Sequence, residues 1–310
     1  MNAHHNSDCM QRFFSILIII LLPGFVTAQN LLSNLPSSKV FFENFHGLSN
    51  DNDHNYIEGE GYNIAIVTFH LEPTESNYKK AAKKTFHKYV VLKQKMNGDP
   101  LENFVIENND PQQGIPVIRK AFLIRGENNT ITVISFARFI RMDSNFVNNA
   151  VAMIIYNGVY DSVFMHVRPS SLDFLGHNIA LGNTCHWMGP DNMQCTHYGQ
   201  MNWSVYKTMA DAEEYKQIQI DANKAKKLTK VISEEKVPVI FEGVETIADR
   251  IVFKVKLPKM VTGGSNALIV YYVAAEVHGK FVHCVMSFYE DEAPQGKLAP
   301  FIAEVMKLKQ

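Results

Sequence analysis

A chain of 310 residues suits one large or two medium domains, and 46% hydrophobic with 20% charged residues is the balance of a folded globular protein. A formal net charge of -1 excludes a global electrostatic pull toward nucleic acid or an anionic membrane surface.

Residues 1–28 read as a signal peptide. Arg12 gives a positive flank, residues 13–22 an apolar run, Pro23-Gly24 a break, and Val26-Thr27-Ala28 a small-residue cleavage pattern before Gln29. The run is too short to span a bilayer, which takes about 20 apolar residues. Met10 serves as a start as well as Met1 does, because the residues between them add nothing to the signal. No cysteine follows the cleavage site to carry a lipid anchor, and no later segment is apolar enough to cross a membrane. The chain is therefore expected to be exported, to a periplasmic or extracellular location. Cys9 leaves with the signal, so Cys185, Cys195 and Cys284 remain. In an oxidising compartment a close pair defaults to a disulfide, which predicts Cys185 with Cys195 and a free Cys284.

Residues 29–61 form a polar lead-in. Within it Asp51-Asn52-Asp53-His54-Asn55 resembles the opening of a calcium loop, but Tyr56 and Tyr62 stand where such a loop needs Gly and Glu. A solvated loop is the reading. A first module over 62–170 begins with a strand at 62–69, followed by a helix after Pro73 with Thr74 as N-cap. Tyr78, Ala81, Ala82, Thr85, Phe86, Tyr89 and Val90 form its apolar stripe, and Lys79, Lys80, Lys83, Lys84 and Lys88 a basic face able to meet an anionic partner. Strands are expected at 117–125 and 130–139 around Gly126-Glu127-Asn128-Asn129, and at 149–156 and 162–167 around Asn157-Gly158.

A second module over 201–310 repeats the order. A strand at 202–206 precedes a helix at 208–228 capped by Thr208 with Asp211, its buried side marked by Met209, Ala212, Tyr215, Ile218, Ala222, Ala225 and Leu228. Strands follow at 237–241, 250–257, 267–277 and 280–289, the last two turning at His278-Gly279, and a helix starts at Pro300. Ile115-Pro116-Val117-Ile118 matches Val237-Pro238-Val239-Ile240 at an offset of 122, and Asn157-Gly158 matches His278-Gly279 at 121. The fold reading is α+β: two similar modules, each an antiparallel β-meander with flanking helices, packed as one body.

Residues 171–200 connect the modules without periodic pattern, and Trp187, Met188 and Met193 give the segment something to bury. Three chemistries compete there. A disulfide between Cys185 and Cys195 would pin the segment by about 2–3 kcal/mol. A transition-metal site would use Cys185, His186, Cys195 and His197, although the spacing is not that of a zinc finger. A nucleophilic thiol would be Cys185 or Cys195 with His177, His197 or His283 as base. Phosphate-loop, nucleophile-elbow and His-Glu-x-x-His motifs are absent. Asn128-Asn129-Thr130 and Asn202-Trp203-Ser204 match the N-glycosylation pattern. The favoured function is a non-enzymatic exported protein that binds a small molecule or a partner protein at the module junction, with no cofactor. The alternatives are an exported hydrolytic or metal-dependent enzyme using Cys185, Cys195 and His197, and a structural subunit of an envelope assembly.

Overall fold

The computed structural model describes residues 36–51, 53–86, 104–108, 111–112, 115–256 and 265–309. The signal-peptide segment, Lys88, Tyr89, Val90 and Leu257 lie outside them. Helix α1 (Ser38–Phe41) leads into a meander of β1 (His46–Asp51), β2 (His54–Gly59) and β3 (Tyr62–Phe69). Helix α2 (Glu75–Phe86), β4 (Phe104–Asn108) and the short pair β5 (Pro111–Gln112) and β6 (Ile115–Pro116) come next. The long pair β7 (Ile118–Arg125) and β8 (Ile131–Arg138), helix α3 (Ser144–Asn157) and β9 (Phe164–Met165) complete the first half. Seven of these strands form one sheet in the order β4-β7-β8-β3-β2-β1-β9.

A separate hairpin, β10 (Ser171–Phe174) and β11 (His177–Ala180), stands between the halves. Strands β12 (Cys185–Gly189), β13 (Asn192–Cys195) and β14 (Gly199–Tyr206) open the second sheet, and helix α4 (Met209–Ala225) follows. After it come β15 (Thr229–Phe241), β16 (Val244–Val255), β17 (Ala267–Val277) and β18 (Lys280–Tyr289). Helix α5 (Pro300–Val305) and β19 (Met306–Leu308) end the described chain. The sheet runs β12-β13-β14-β18-β17-β16-β15-β19. This is the α+β architecture that the alternation of helix and meander implied.

Each sheet is covered on both faces. In the first, α3 sets Phe146, Val147, Ala150 and Met153 against Tyr62, Ile64, Phe122 and Phe136. On the opposite face α2 sets Tyr78, Ala81, Ala82 and Phe86 against Ala121, Leu123 and Val133. Alternate residues of β7 and β8 thus enter two cores, and an unbroken apolar run is what a strand buried on both faces requires. In the second sheet Trp203, Val205, Val273, Cys284 and Met286 face a large core with Trp187, Phe174 and α5. The other face meets α4 through Tyr206, Tyr272 and Ala274.

Three expectations are corrected. Residues 149–156 are helical, inside α3, and 162–167 hold a 3-10 turn and the two-residue β9. Asp143 starts that helix, its carboxylate accepting from Asn145 N at 2.9 Å and Phe146 N at 3.3 Å. Gly158 stops it at φ +69° and ψ 172°, a conformation that glycine adopts without steric cost. An Asn-Gly pair suits a helix stop and a hairpin turn alike. The offset alignment therefore pairs a helix end with the true hairpin at His278-Gly279, and the two sheets differ in strand number and order. Second, the buried face of α4 is Asp211, Ala212, Tyr215, Lys216 and Ile220, while Ala225 and Leu228 are exposed. Lys216 replaces an apolar residue because Glu213 and Asp249 hold its ammonium at 2.7 and 3.2 Å. Third, the connector 171–200 is not irregular but folds into strands β10 to β13. Among the described residues no helix is long and apolar enough to cross a membrane.

Candidate functional site

Cys185 and Cys195 are directly opposed across β12 and β13, with Cα atoms 3.9 Å apart, and form a disulfide. With both sulfurs in the bridge, neither is available as the nucleophile or the thiolate ligand for which each was a candidate. His186 is half-buried with Nδ1 3.4 Å from the Thr184 carbonyl, and His197 is exposed in the turn after β13 at φ +66°. His177 faces Glu242 instead, Nδ1 to Oε1 at 3.0 Å. Among the described residues no group of three or more His, Cys, Asp or Glu side chains is placed to hold a metal ion. Cys284 is fully buried, and burial, then the charge of Glu242, pushes its thiol well above the usual range. His283 is its neighbour along β18 and so projects to the opposite face of the sheet.

The calcium-like stretch is the β1–β2 turn. The Asp51 carboxylate lies 2.9 Å from His54 Nδ1 and that of Asp53 2.9 Å from His70 Nε2, so both acids already have partners. On the basic face of α2, Lys79 meets Glu75 at 2.6 Å, Lys80 donates to Asn77 at 3.1 Å, and Lys84 lies over the Phe69 ring.

The chemistry concentrates elsewhere. In the register of β13, β14 and β18, Asn192 opposes Asn202, Gln200 opposes Ser287 and Ser204 opposes His283. These six residues share one face of the sheet, and Met201, Trp203 and Val205 alternate with them toward the apolar core. A polar strand face usually meets water. Here α4 lies across it, presenting Tyr215, Gln219 and Asn223, and a cavity of about 360 Å³ remains beneath the helix. Asp191 lines its wall, Lys226 and Thr229 its end at the carboxyl terminus of α4, and Phe253, Leu268, Val270 and Val285 an apolar side.

Residues of the first sheet pack against Trp203, which lines this cavity. Glu58, on β2, is 1% exposed. His46, across the β1–β2 register, brings Nε2 to 3.4 Å from Glu58 Oε2 and stacks on Trp203 with centroids 5.6 Å apart. Burial raises the Glu58 carboxyl well above its usual range, nearby Asp191 raises it further, and the Ser204 hydroxyl and Gly61 amide offset this only in part. Burial lifts Asp191 to about 6. Burial lowers the His46 imidazole to about 4, and burial with the charge of Lys216 lowers His283 to about 3. Both histidines are neutral at physiological pH. A second cavity of about 330 Å³ lies on the far side of Trp203, lined by His46, Trp187, Leu172 and Asp173.

Several buried polar atoms here lack a hydrogen-bond partner among the described residues: His283 Nε2, Asn192 Oδ1 and Trp187 Nε1. Such atoms cost about 1–3 kcal/mol each when left unpaired. Glu58 lines neither cavity. Sequence reading placed the site near Cys185 to His197 and missed His46, Glu58, Asn202, Ser204 and Tyr215. The alternation of Gln200, Asn202 and Ser204 with Met201, Trp203 and Val205 was the available signal. Read alone, it indicates a solvent-facing edge.

No family model matches the chain, and no curated protein matches it. Among solved structures, the chain is similar to the apo immunity protein TplEi of the T6SS from Pseudomonas aeruginosa at 8% identity and a TM-score of 0.23. That match covers 85% of this chain and 97% of the other. It is also similar to a chain of the Tle4–Tli4 complex at 7% identity and a TM-score of 0.23, covering 82% and 89%. A likeness at this level carries no argument about function.

Proposed function

We propose that this chain is an exported, non-enzymatic binding protein whose ligand enters the cavity between α4 and the β13–β14–β18 face. The observation that carries this reading is the polar lining of a space covered by a helix. Five side-chain amides (Asn192, Gln200, Asn202, Gln219 and Asn223) line the same cavity as His283, whose ring is 3% exposed and whose Nε2 has no partner. A surface covered by a helix would ordinarily be apolar. Keeping it polar costs stability unless something hydrogen-bonds there. The occupant is either a small molecule or a side chain presented by a partner protein. The Cys185–Cys195 bridge supports export, because such bonds persist in oxidising compartments.

The test is thermal shift with amines, amino acids, sugars and dicarboxylates, on the wild type and on Ser287→Trp, which fills the cavity. At least one class is expected to raise the melting temperature of the wild type and not of the filled variant. A shift that persists in Ser287→Trp places the ligand elsewhere, and no shift with any class counts against a small-molecule occupant. For a partner protein, the same variant is expected to lose binding while keeping its circular-dichroism spectrum.

A further inference from the structure

We propose that the cavity under α4 holds a cationic group, an ammonium or a guanidinium, with Asp191 as the residue that meets it. This rests on the reading of the cavity as the binding site and adds the chemistry of the occupant.

The argument is one of unmatched charge. Asp191 lines the cavity, and Glu58 stands behind it within electrostatic reach. No salt bridge joins either carboxyl to a lysine or arginine among the described residues; Glu58 has only the neutral imidazole of His46 at 3.4 Å. Elsewhere this chain pairs its buried charges, as Lys216 shows with Glu213 and Asp249. An ionised Asp191 left without a cation is costly, and a cation entering the cavity would remove that cost. The carboxyl end of α4, the negative pole of a 17-residue helix, lies at the same cavity through Asn223. The amide oxygens of Asn202 and Asn192 are further acceptors, and Asn192 Oδ1 is unpartnered. His283 Nε2, also unpartnered, accepts from an N–H donor in its neutral form.

Every titratable group facing Asp191 enters the balance. Glu58 comes from β2, His46 from β1, Tyr206 from β14, Tyr215 from α4 and His283 from β18; burial raises Glu58 and both tyrosines, which disfavours their anions, and lowers both histidines, which disfavours their cations. Lys226 is the one cation on the lining; it is exposed at the rim, where solvent screens it. Arg138 acts on the far side of Tyr215. The buried Lys216 ammonium, which acts on His283, is held by Glu213 and Asp249, so Asp191 is the unpaired carboxylate of the lining. A bound cation also favours ionisation of Glu58, so binding is expected to release protons.

The cationic group has two sources, a free amine or guanidine and a lysine or arginine side chain of a partner protein. Isothermal titration calorimetry separates them. The full mature chain is titrated with cadaverine and agmatine, with capped Gly-Lys-Gly and Gly-Arg-Gly tripeptides, and with glucose and 1-pentanol as neutral controls. A cation is expected to bind and the controls not. Asp191→Asn is expected to weaken it on the order of tenfold to a hundredfold, the range for losing a charge-assisted hydrogen bond. Affinity is expected to fall about tenfold per pH unit below about 6 and to level off above it, as Asp191 titrates. This profile is read on the wild type alone and stands even if Asp191→Asn does not fold. Binding of the free cations assigns a small ligand, and binding of the tripeptides alone assigns a protein side chain. Failure of all four cations, or binding indifferent to pH and to Asp191→Asn, would overturn the proposal. Glucose binding lost in Ser287→Trp would overturn it too, while leaving the cavity as the binding site.

Discussion

His46 and Trp203 stack with ring planes 20° apart, so a strand of the first sheet is fastened to a strand of the second through neutral imidazole on indole. The contact places Glu58 under Ser204 and separates the two junction cavities by one aromatic side chain. Trp203→Ala is expected to cost about 3–5 kcal/mol, the range for deleting a large buried aromatic side chain. It is also expected to merge the cavities. Urea unfolding measures the first effect and a crystal structure of the variant the second.

The buried carboxyls give a testable pH signature. The folded pKa of Asp191, about 6, lies above its unfolded value, as does that of Glu58. In the interval between the two values the folded state binds more protons, so stability present at low pH is lost as pH rises. For Asp191 the loss runs from about pH 4 to about pH 6. Asp191→Asn is expected to be more stable than wild type at pH 8 by about 1–3 kcal/mol and Glu58→Gln to be more stable there as well, with the advantage shrinking toward pH 4. An advantage independent of pH would count against these shifts.

The histidines act in the opposite direction. His46 and His283 titrate at about 4 and about 3 in the folded chain, below the unfolded value of 6.5. The unfolded state takes up protons first, so stability falls as pH drops from 6.5 toward 3. His283→Gln, which does not titrate, is expected to flatten this acid limb by roughly 3–5 kcal/mol at about 1.4 kcal/mol per pKa unit. Urea unfolding at pH 7, 5 and 4 compares the slopes.

Two glycines distinguish packing from backbone strain. Gly61, at φ +73°, turns β2 into β3, and an added Cβ would meet the Tyr206 ring at 2.6 Å. Gly158, at φ +69°, has nothing within 4 Å of that point. Gly158→Ala is therefore expected to cost only the backbone penalty of its φ +69°, ψ 172° conformation, roughly 1–3 kcal/mol. Gly61→Ala adds a clash at the junction, for a total of roughly 3–4 kcal/mol. Equal losses in the two variants would mean that Tyr206 gives way freely.

The disulfide and much of the fold were legible in the sequence because their causes are local. Tyr62–Phe69, Ala267–Val277 and Lys280–Tyr289 were bounded to the residue by alternation and by turns. The short spacing of Cys185 and Cys195 carried the bridge that joins them. Helix α3 was misread because Asn149 to Tyr156 is apolar enough for either period and Asn-Gly ends both hairpins and helices. Asp143, three residues before Phe146, was the signal that settles it. The site was not legible because His46, Glu58, Asp191, Ser204 and His283 lie on five separate stretches. They meet only when two sheets pack, and no spacing along the chain records that packing.

Unfolding of the mature chain without reductant is expected to expose one titratable thiol, Cys284, because the other two are bonded. Cys185→Ser with Cys195→Ser is expected to lower stability by about 2–3 kcal/mol while leaving the cavity under α4 intact, since the bridge lines neither junction cavity. Three thiols in the non-reduced protein would contradict the pairing.

The most direct test of the account uses the fact that the chain has two tryptophans, Trp187 and Trp203, and both are buried at the junction. Tryptophan emission is titrated with whichever compound class stabilises the wild type, in parallel with Ser287→Trp/Trp187→Phe and with Asp191→Asn. A saturable change in wild-type emission, absent in the filled cavity and weakened in Asp191→Asn, is the expected result. Stabilisation with no change in emission would place the ligand away from the junction and contradict the account.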